Sequence, residues 1–283
     1  MNAPIPLDDL QAAARASWQI AHEICTCADL YHAIHPVLRA TGFTPGIATD
    51  RGTLNGFLPA MVAPGARLLI AGAADASLVQ YFVENCPARP LSITVIDRCP
   101  APLALIGRMR LPEGVTIETR QGQLAELAER DRYDLVLSHD MMNFIDEATR
   151  LEVIDRLSQS LTAEGRFILV ARVAEKDRAV SQEELTRRHI AAAEGKFADF
   201  PDLVRTCGEG LRDLLRKHLR ERTMRPGRVL EPAEIVMLIE RAGARLERKI
   251  AGAVRTTFHL ADGSKRQRQS HIFIIRRSGA ATE

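Results

Sequence analysis

Residues 67–86 read RLLIAGAADASLVQYFVENC: a short apolar run, a glycine and then a helical pattern. The same order returns at residues 91–97, where LSITVID is a second short apolar run, here ending in an acid. It continues as far as a fifth run, GRFILVAR at residues 165–172. Short runs that are apolar on both faces are typical of strands in a parallel sheet covered by helices. We therefore predict an α/β protein with a Rossmann-like, mostly parallel sheet and helices on both of its faces.

Three further segments lie outside this alternation. We expect residues 1–60 to form an N-terminal helical cap, because apolar residues recur there at spacings of three and four, with an interruption at Pro36. We expect a helical insertion at residues 175–228, after strand five. The chain ends in a strand, a turn at residues 262–264 and a last strand that must run antiparallel. Residues 61–283 are thus predicted to form the Rossmann-like domain, with the insertion inside it.

The composition excludes several classes of partner. The net charge is +2 and aromatic residues make up 5% of the chain, so we expect neither a nucleic acid nor a membrane surface as partner. The first residues, MNAPIPLDDL, lack the charged and apolar regions of a signal peptide, and no apolar run approaches about 18 residues. A cytoplasmic protein that acts on a small molecule is the expectation; the oligomeric state stays open.

The five cysteines show no spacing that indicates a disulfide framework. Cys25 and Cys27 are one residue apart, so on a helix their thiols would point to different faces and chelate a metal poorly. We therefore expect reduced thiols in a reducing compartment and no metal site.

Ligands of such sheets bind beyond the carboxyl ends of the strands. Gly72 ends strand one, where the missing side chain lets a ligand approach the backbone. Asp97 ends strand two, where an acid can accept both hydroxyl groups of a ribose; the alternative is a cap on the next helix. The residues that follow strands three and four complete the set: Gly122, Gln123, Ser138, His139 and Asp140. The G-x-G-x-x-G fingerprint of nicotinamide-binding proteins is absent.

This order of features resembles the class I S-adenosylmethionine-dependent methyltransferases over about residues 60–275. TAEGRFILV at residues 162–170 is similar to the family's turn and fifth strand, and EPAEIVMLIERAGARLERKI at residues 231–250 is similar to its late helix and strand. The family's first motif, V-L-D-V-G-C-G-T-G, is matched by LLIAGAADA at residues 68–76, which keeps one of the three glycines, Gly72. The resemblance implies methyltransferase activity, with S-adenosylmethionine as cofactor.

The resemblance also implies roles for individual residues. Asp75, at the tip of the first loop, would hold the cofactor's ammonium group, and Asp97 would hold its ribose. Gln123 would accept a hydrogen bond from the adenine amino group through its amide oxygen. Further cofactor contacts would come from neighbouring residues of the same loops: Gly72, Ala73, Ala74, Arg98, Gly122 and Ser138.

Four side chains are candidates for catalysis. His139 and Asp140 follow strand four, where residues reach the transferred methyl group; His139 is either a general base or a core histidine, and the sequence leaves both open. Tyr31 and His35 are four residues apart on the predicted cap and share a helix face. Met142 stands where plant-type O-methyltransferases carry their catalytic histidine, so that particular base is not expected.

Residues 205–228 hold eight basic side chains against three acidic ones. Arg212, Arg216 and Arg220 recur at a spacing of four and would form one stripe on a helix. Because the insertion covers the substrate in this fold, the stripe predicts an anionic acceptor or an acidic carrier protein. The alternative is a solvated helix face.

We predict methyl transfer to an oxygen, nitrogen or carbon nucleophile of a small molecule. One alternative keeps the cofactor but transfers its aminocarboxypropyl group or cyclises it. Another is a non-catalytic binding module, favoured by the decay of the first motif. An RNA methyltransferase is a weaker alternative, since there is only one basic segment.

Overall fold

The computed structural model describes residues 4–44, 46–173, 182–224, 230–259 and 265–278. The helices in these residues are α1 Leu10–Ile24, α2 Tyr31–Ala40, α3 Arg51–Asn55, α4 Ser77–Asn85, α5 Pro100–Ile106, α6 Arg150–Gln159, α7 Gln182–Phe197, α8 Pro201–Cys207, α9 Gly210–Met224 and α10 Pro232–Arg241. The strands are β1 Arg67–Ala71, β2 Leu91–Asp97, β3 Val115–Gln121, β4 Tyr133–His139, β5 Leu161–Arg172, β6 Ala244–His259 and β7 Lys265–Arg277.

The seven strands form one sheet in the order β3-β2-β1-β4-β5-β7-β6. The first five strands of the chain pair in parallel, and β7 is antiparallel to both β5 and β6. The order reverses between β1 and β4, which is where a sheet of this type opens a crevice at its carboxyl edge. The predicted mostly parallel sheet with an antiparallel last strand is confirmed. The turn predicted at residues 262–264 lies outside the described residues.

Both faces of the central strands are buried, as the apolar runs predicted, while the edge strand β3 is largely exposed. Side chains alternate across a strand, so Leu68 and Ile70 of β1 face one apolar core while Leu69 and Ala71 face another. The first core takes in the cap helices with α4, α5 and α9, and the second takes in α6 and α10. Helices therefore cover both faces, and the cap and the insertion share one core with the sheet.

The cap differs from its prediction at Pro36, which lies inside α2 without ending the helix. Proline removes the hydrogen bond that the carbonyl of His32 would otherwise accept within the helix. The Ser17 hydroxyl of α1 donates to that carbonyl at 2.6 Å instead. The His32 carbonyl thus has a hydrogen-bond partner on the neighbouring helix. The helical structure of the cap is interrupted earlier, at residues 25–30 between α1 and α2.

The predicted insertion is helical where the structure describes it, as α7, α8 and α9 between β5 and α10. Residues 174–181 and 225–229, at its two ends, lie outside the described part of the chain. The longest described helix, α7, has 16 residues. Within the described residues, no helix is both long and apolar enough to cross a membrane.

Candidate active site

The carboxyl ends of the central strands are tied together by backbone hydrogen bonds. The Gly72 N–H donates to the carbonyl of Ile96 at 2.8 Å, and the Gly122 N–H donates to the carbonyl of Asp97 at 3.0 Å. On the other side, the Asp140 N–H donates to the carbonyl of Val170 at 2.8 Å. The loops that carry the candidate residues therefore start from one rigid edge.

Asp97 lies at this edge, as the sequence predicted, and its carboxylate faces the first loop. Oδ2 accepts the Ala73 N–H at 2.9 Å, and Oδ1 accepts the Cys99 N–H at 2.8 Å. Burial raises the pKa of Asp97, although both backbone hydrogen bonds and nearby His32 oppose this. An ionised carboxylate has about four acceptor sites, so the two oxygens keep capacity for hydroxyl groups of a ligand.

Gly72 and Gly122 leave bare backbone along this crevice. Gly72 has a φ of +79°, and a Cβ built there would lie 2.9 Å from Sδ of Met141. A Cβ on Gly122 would meet nothing within 4 Å. The crevice is thus covered at Gly72 by the flexible end of a methionine, a side chain that adapts readily to new neighbours.

Asp75 lies in the first loop but is buried, and its role at the cofactor's ammonium group stays a prediction. Its side chain is 1% exposed, and Oδ2 lies 2.7 Å from Nε of Arg39 and 3.6 Å from Nδ1 of His35. Oδ1 accepts the Ser77 N–H at 2.7 Å. Burial alone would raise the pKa of Asp75, but Arg39 and His35 hold it well below its usual range. The carboxylate is taken up by an ion pair between the cap and the first loop.

His139 lies in a buried network. Its Nε2 donates to Oδ2 of Asp50 at 3.0 Å, and its Nδ1 is 4.0 Å from Oδ2 of Asp140. Asp50 is fully buried and also accepts the Ser270 hydroxyl. The network joins the cap, β4 and β7, which favours a core role for His139 over a free general base; its catalytic role stays a prediction.

The remaining loop residues differ in exposure. Ser138 is fully buried within β4, while Arg98 is exposed and its carbonyl accepts a hydrogen bond from the Gln121 amide at 3.1 Å. Asp140 has its Oδ2 3.4 Å from Nε of Arg172. Gln123 is exposed at the start of the loop after β3. The predicted roles of these four residues stay predictions.

Tyr31 is the centre of a cluster that joins the cap, the insertion and the loop after β4. Its ring centroid lies 5.1 Å from that of His35, 5.7 Å from Phe144 and 5.6 Å from His218. We call these four residues the aromatic cluster. Tyr31 and His35 are in contact, as their spacing predicted, whereas Phe144 and His218 were not anticipated.

His218 and Asp29 form a buried pair beside this cluster. Nδ1 of His218 lies 3.2 Å from Oδ2 of Asp29, and the two residues are 2% and 5% exposed. Because an ionised carboxylate only accepts, Nδ1 is the nitrogen that carries the proton. Nε2 of His218 is buried without a hydrogen-bond partner among the described residues. The pair therefore presents one unsatisfied imidazole nitrogen.

The thiols of Cys25 and Cys27 do not point to different faces of a helix, so the argument against a metal there was wrong. Helix α1 ends at Ile24, and both cysteines lie in the turn that follows it. That turn brings them to Cys99 at the start of α5, with 3.6 Å between Sγ of Cys25 and Sγ of Cys99. All three sulfur atoms lie within 4.8 Å of one another.

The arginine stripe of α9 does not face the aromatic cluster. Arg212 and Arg220 are exposed, and Arg216 pairs with Glu194 of α7 at 2.8 Å. His218 is two residues from both Arg216 and Arg220, and two residues are about 200° apart around a helix. The structure thus favours a solvated face for the stripe, and its role in binding an anionic acceptor or an acidic carrier protein stays a prediction.

Two cavities, of about 300 and 400 Å³, lie at the opposite edge of the sheet. Residues that line them precede β1 and β4, such as Gly65 and Arg130. Since ligands of this fold bind at the carboxyl edge, neither cavity is a candidate for the cofactor.

No family model matches the chain, and no curated protein sequence matches it. Solved structures do match. The chain is similar to a chain in the complex of the Trm112 methyltransferase activator with a candidate methyltransferase from Haloferax volcanii, with a TM-score of 0.54, 10% identity and coverage of 86% of this chain and 95% of that one. It is also similar to a candidate methyltransferase from Bacillus halodurans, with a TM-score of 0.50, 11% identity and coverage of 80% and 96%.

Mitomycin 7-O-methyltransferase MmcR is a third similar structure, with 18% identity, a TM-score of 0.48 and coverage of 92% of this chain. The chain spans 60% of the length of that protein. At these identities the similarities show the fold alone. The chain has the Rossmann-like fold of the class I methyltransferases, which confirms the architecture that the sequence resemblance implied.

Proposed function

We propose that this protein is an S-adenosylmethionine-dependent methyltransferase that acts on a small aromatic molecule. The observation that carries the proposal is the placement of Gly72, Asp97 and Gln123 at three successive strand ends of a methyltransferase fold. These ends meet beside the point where the strand order reverses, which is where such sheets bind ligands.

The residues at this edge fit the cofactor. The carboxylate of Asp97 would hold the ribose hydroxyls, and the bare backbone at Gly72 and Gly122 would let the rest of the molecule lie against the sheet edge. Gln123 would meet the adenine. The side chain of Met141, which covers Gly72, would be the group that moves aside. When bound, S-adenosylmethionine supplies a methyl group on a positively charged sulfur.

The aromatic cluster would hold the acceptor. Phe144 is 45% exposed and Tyr31 is partly exposed, so an aromatic ring can reach both from solvent and stack against them. His218, held by Asp29, would accept the proton of an acceptor hydroxyl at Nε2 as the oxygen–carbon bond forms and the sulfur–carbon bond breaks. Cap and insertion would together exclude water from the transfer.

Replacement of Asp97 tests cofactor binding. We expect the wild-type protein to bind S-adenosylhomocysteine, and Asp97→Ala to weaken this by about 1–3 kcal/mol, or roughly 5- to 160-fold, because charge-assisted hydrogen bonds are lost. Isothermal titration calorimetry measures both. Asp134→Ala, which removes a carboxylate at the opposite edge of the sheet, is the control and should leave affinity unchanged. Absence of binding to the wild type at millimolar ligand would contradict the proposal.

Replacement of Gly72 separates backbone strain from crowding. Gly72→Ala and Gly65→Ala should each lower the free energy of unfolding by about 1–2 kcal/mol, because φ is +79° and +82° at these positions. Only Gly72→Ala should also weaken S-adenosylhomocysteine binding, by more than about tenfold, since a methyl group there stands in the crevice. Urea unfolding and calorimetry give the two quantities. If both variants bind S-adenosylhomocysteine with equal affinity, the cofactor does not bind at Gly72.

Product analysis distinguishes methyl transfer from the other reactions of the same cofactor. The protein, S-adenosylmethionine and a panel of phenols and catechols are incubated, and the nucleoside products are separated by mass spectrometry. Methyl transfer releases S-adenosylhomocysteine together with a methylated acceptor. Methylthioadenosine in its place would mean attack on the aminocarboxypropyl chain.

An anionic acceptor or an acidic carrier protein would depend on the exposed arginines of α9. We expect the double variant Arg212→Glu/Arg220→Glu to raise the KM for such an acceptor. It should also flatten the dependence of KM on salt, because salt weakens an attraction between charges: the Debye length falls from about 10 Å at 0.1 M to about 3 Å at 1 M. Arg241→Glu, on α10, is the control. If KM in the wild type does not change with salt and the double variant is silent, the stripe is a solvated surface.

A further inference from the structure

Three cysteine thiols from two distant parts of the chain converge beside the cofactor crevice. Cys25 and Cys27 come from the turn after α1, and Cys99 comes from the turn after β2. Their sulfur atoms lie within 4.8 Å of one another. The other two cysteines, Cys86 and Cys207, are buried and are not part of this cluster.

The sulfur spacing matches a tetrahedral metal site. A zinc–thiolate bond is about 2.3 Å long, so two thiolates on one zinc ion are about 3.8 Å apart. Sγ of Cys25 and Sγ of Cys99 are 3.6 Å apart, close to this value. A disulfide needs about 2.05 Å and joins only two sulfurs, which leaves the third thiol unexplained.

His32 lies beside this cluster and is the candidate for a fourth ligand, although its ring nitrogens are not among the atoms that lie within 4.8 Å of one another. It is 4% exposed, and its Nδ1 donates to the carbonyl of Ala74 at 3.1 Å. With the proton on Nδ1, Nε2 keeps its lone pair for a metal. A histidine ligand characteristically donates its other ring nitrogen to a carbonyl or carboxylate in this way.

We propose that Cys25, Cys27 and Cys99 bind a structural zinc ion, and that His32 moves in as its fourth ligand. Three thiolates and one imidazole are a standard ligand set for structural zinc. The site would join the turn after α1, helix α2 and the start of α5. It would also brace the crevice, because Ala74 belongs to the first loop and the Cys99 N–H holds Asp97. Zinc binding does not require the methyltransferase proposal to be correct.

Metal content is the first test. The full chain is expressed with zinc in the medium and purified without chelator. Elemental mass spectrometry should then find about one zinc ion per molecule. Cys25→Ala and Cys99→Ala should lose it, while Cys86→Ala and Cys207→Ala should keep it. His32→Ala should weaken zinc binding by more than the roughly 10- to 100-fold expected for loss of an outer-shell partner.

Cobalt titration tests the wild type, so the result does not depend on whether a variant folds. One equivalent of Co²⁺ added to the chelator-treated, reduced protein should produce the sulfur-to-cobalt charge-transfer band and the visible bands of a tetrahedral site. Zinc should abolish them. The proposal is overturned by a wild type without these bands, or by peptide mapping that finds a disulfide between Cys25 and Cys99. If the bands are absent while S-adenosylhomocysteine still binds, only the zinc site is lost.

Discussion

His218→Ala is expected to lower the turnover of methyl transfer by about 10²- to 10⁴-fold, the usual contribution of a general base. The affinity for S-adenosylhomocysteine should hardly change, because His218 contacts the aromatic cluster and Asp29 rather than the strand ends. Asp29→Asn should also lower turnover, since it removes the carboxylate that holds the proton on Nδ1. Release of S-adenosylhomocysteine is measured with an acceptor recovered from the phenol and catechol panel.

His22→Ala is the matched control for this prediction. His22 is a histidine of the cap, exposed on α1, and its ring contacts Trp18 rather than the cluster. Its loss should leave turnover and affinity unchanged. If His218→Ala turns over normally while the protein stays folded, the pair of His218 and Asp29 only fastens the insertion to the cap. An equal loss of turnover and cofactor affinity would point to the same conclusion.

The sheet could be predicted because its signals are local. Four of the five parallel strands contain a short apolar run next to the glycine, acid or turn that ends it, and the exception is the edge strand β3, VTIETRQ. Asp97 and Gly72 could be placed for the same reason: in a parallel sheet, the end of a strand is the ligand edge whatever the remaining chain does. The resemblance of residues 68–76 to the family motif adds to this, although most of the motif's glycines are replaced.

The aromatic cluster and the thiol cluster could not be predicted, because their members are remote in the chain. His218 and Asp29 are 189 residues apart, and Cys25 and Cys99 are 74 apart. No spacing rule links such positions. The thiols also depend on where α1 ends, and a difference of a few residues at a helix end decides whether Cys25 and Cys27 diverge or converge.

The ion pair of Asp75 could not be predicted for the same reason. Read along the chain, it is a polar residue in the first loop, and the loop alone gives it no partner. Its partner is Arg39 on α2, whose Nε lies 2.7 Å from Oδ2. The cap therefore binds one residue of the loop that the family motif would assign to the cofactor. The ion pair of Arg39 and Asp75 is expected to contribute strongly to the free energy of unfolding.

Arg39→Met should lower the free energy of unfolding by about 3–5 kcal/mol, because it leaves the carboxylate of Asp75 buried without its main partner. Asp75→Asn should lower the free energy of unfolding by a comparable amount, since it leaves the Arg39 guanidinium buried without its carboxylate partner. Urea unfolding near neutral pH measures both. Arg51→Met, which breaks the exposed pair of Arg51 with Glu84, is the control and should cost about 0–1 kcal/mol. A loss below about 1 kcal/mol in Arg39→Met would mean that the buried pair contributes no more than a surface pair.

The pH dependence of stability is an independent test of the same ion pair. In the wild type the pKa of Asp75 is depressed, so its contribution is present above the pKa of an unfolded aspartate, about 3.9, and is lost as pH falls through the lower folded value. Without Arg39, burial raises that pKa instead, and protonation of Asp75 then relieves the buried charge. His35, the other basic group at Asp75, acts in the same direction when it is protonated. The difference in stability between wild type and Arg39→Met should therefore shrink between about pH 7 and pH 5. A difference that stays constant or grows over this range would show that the variant loses packing rather than a charge partner.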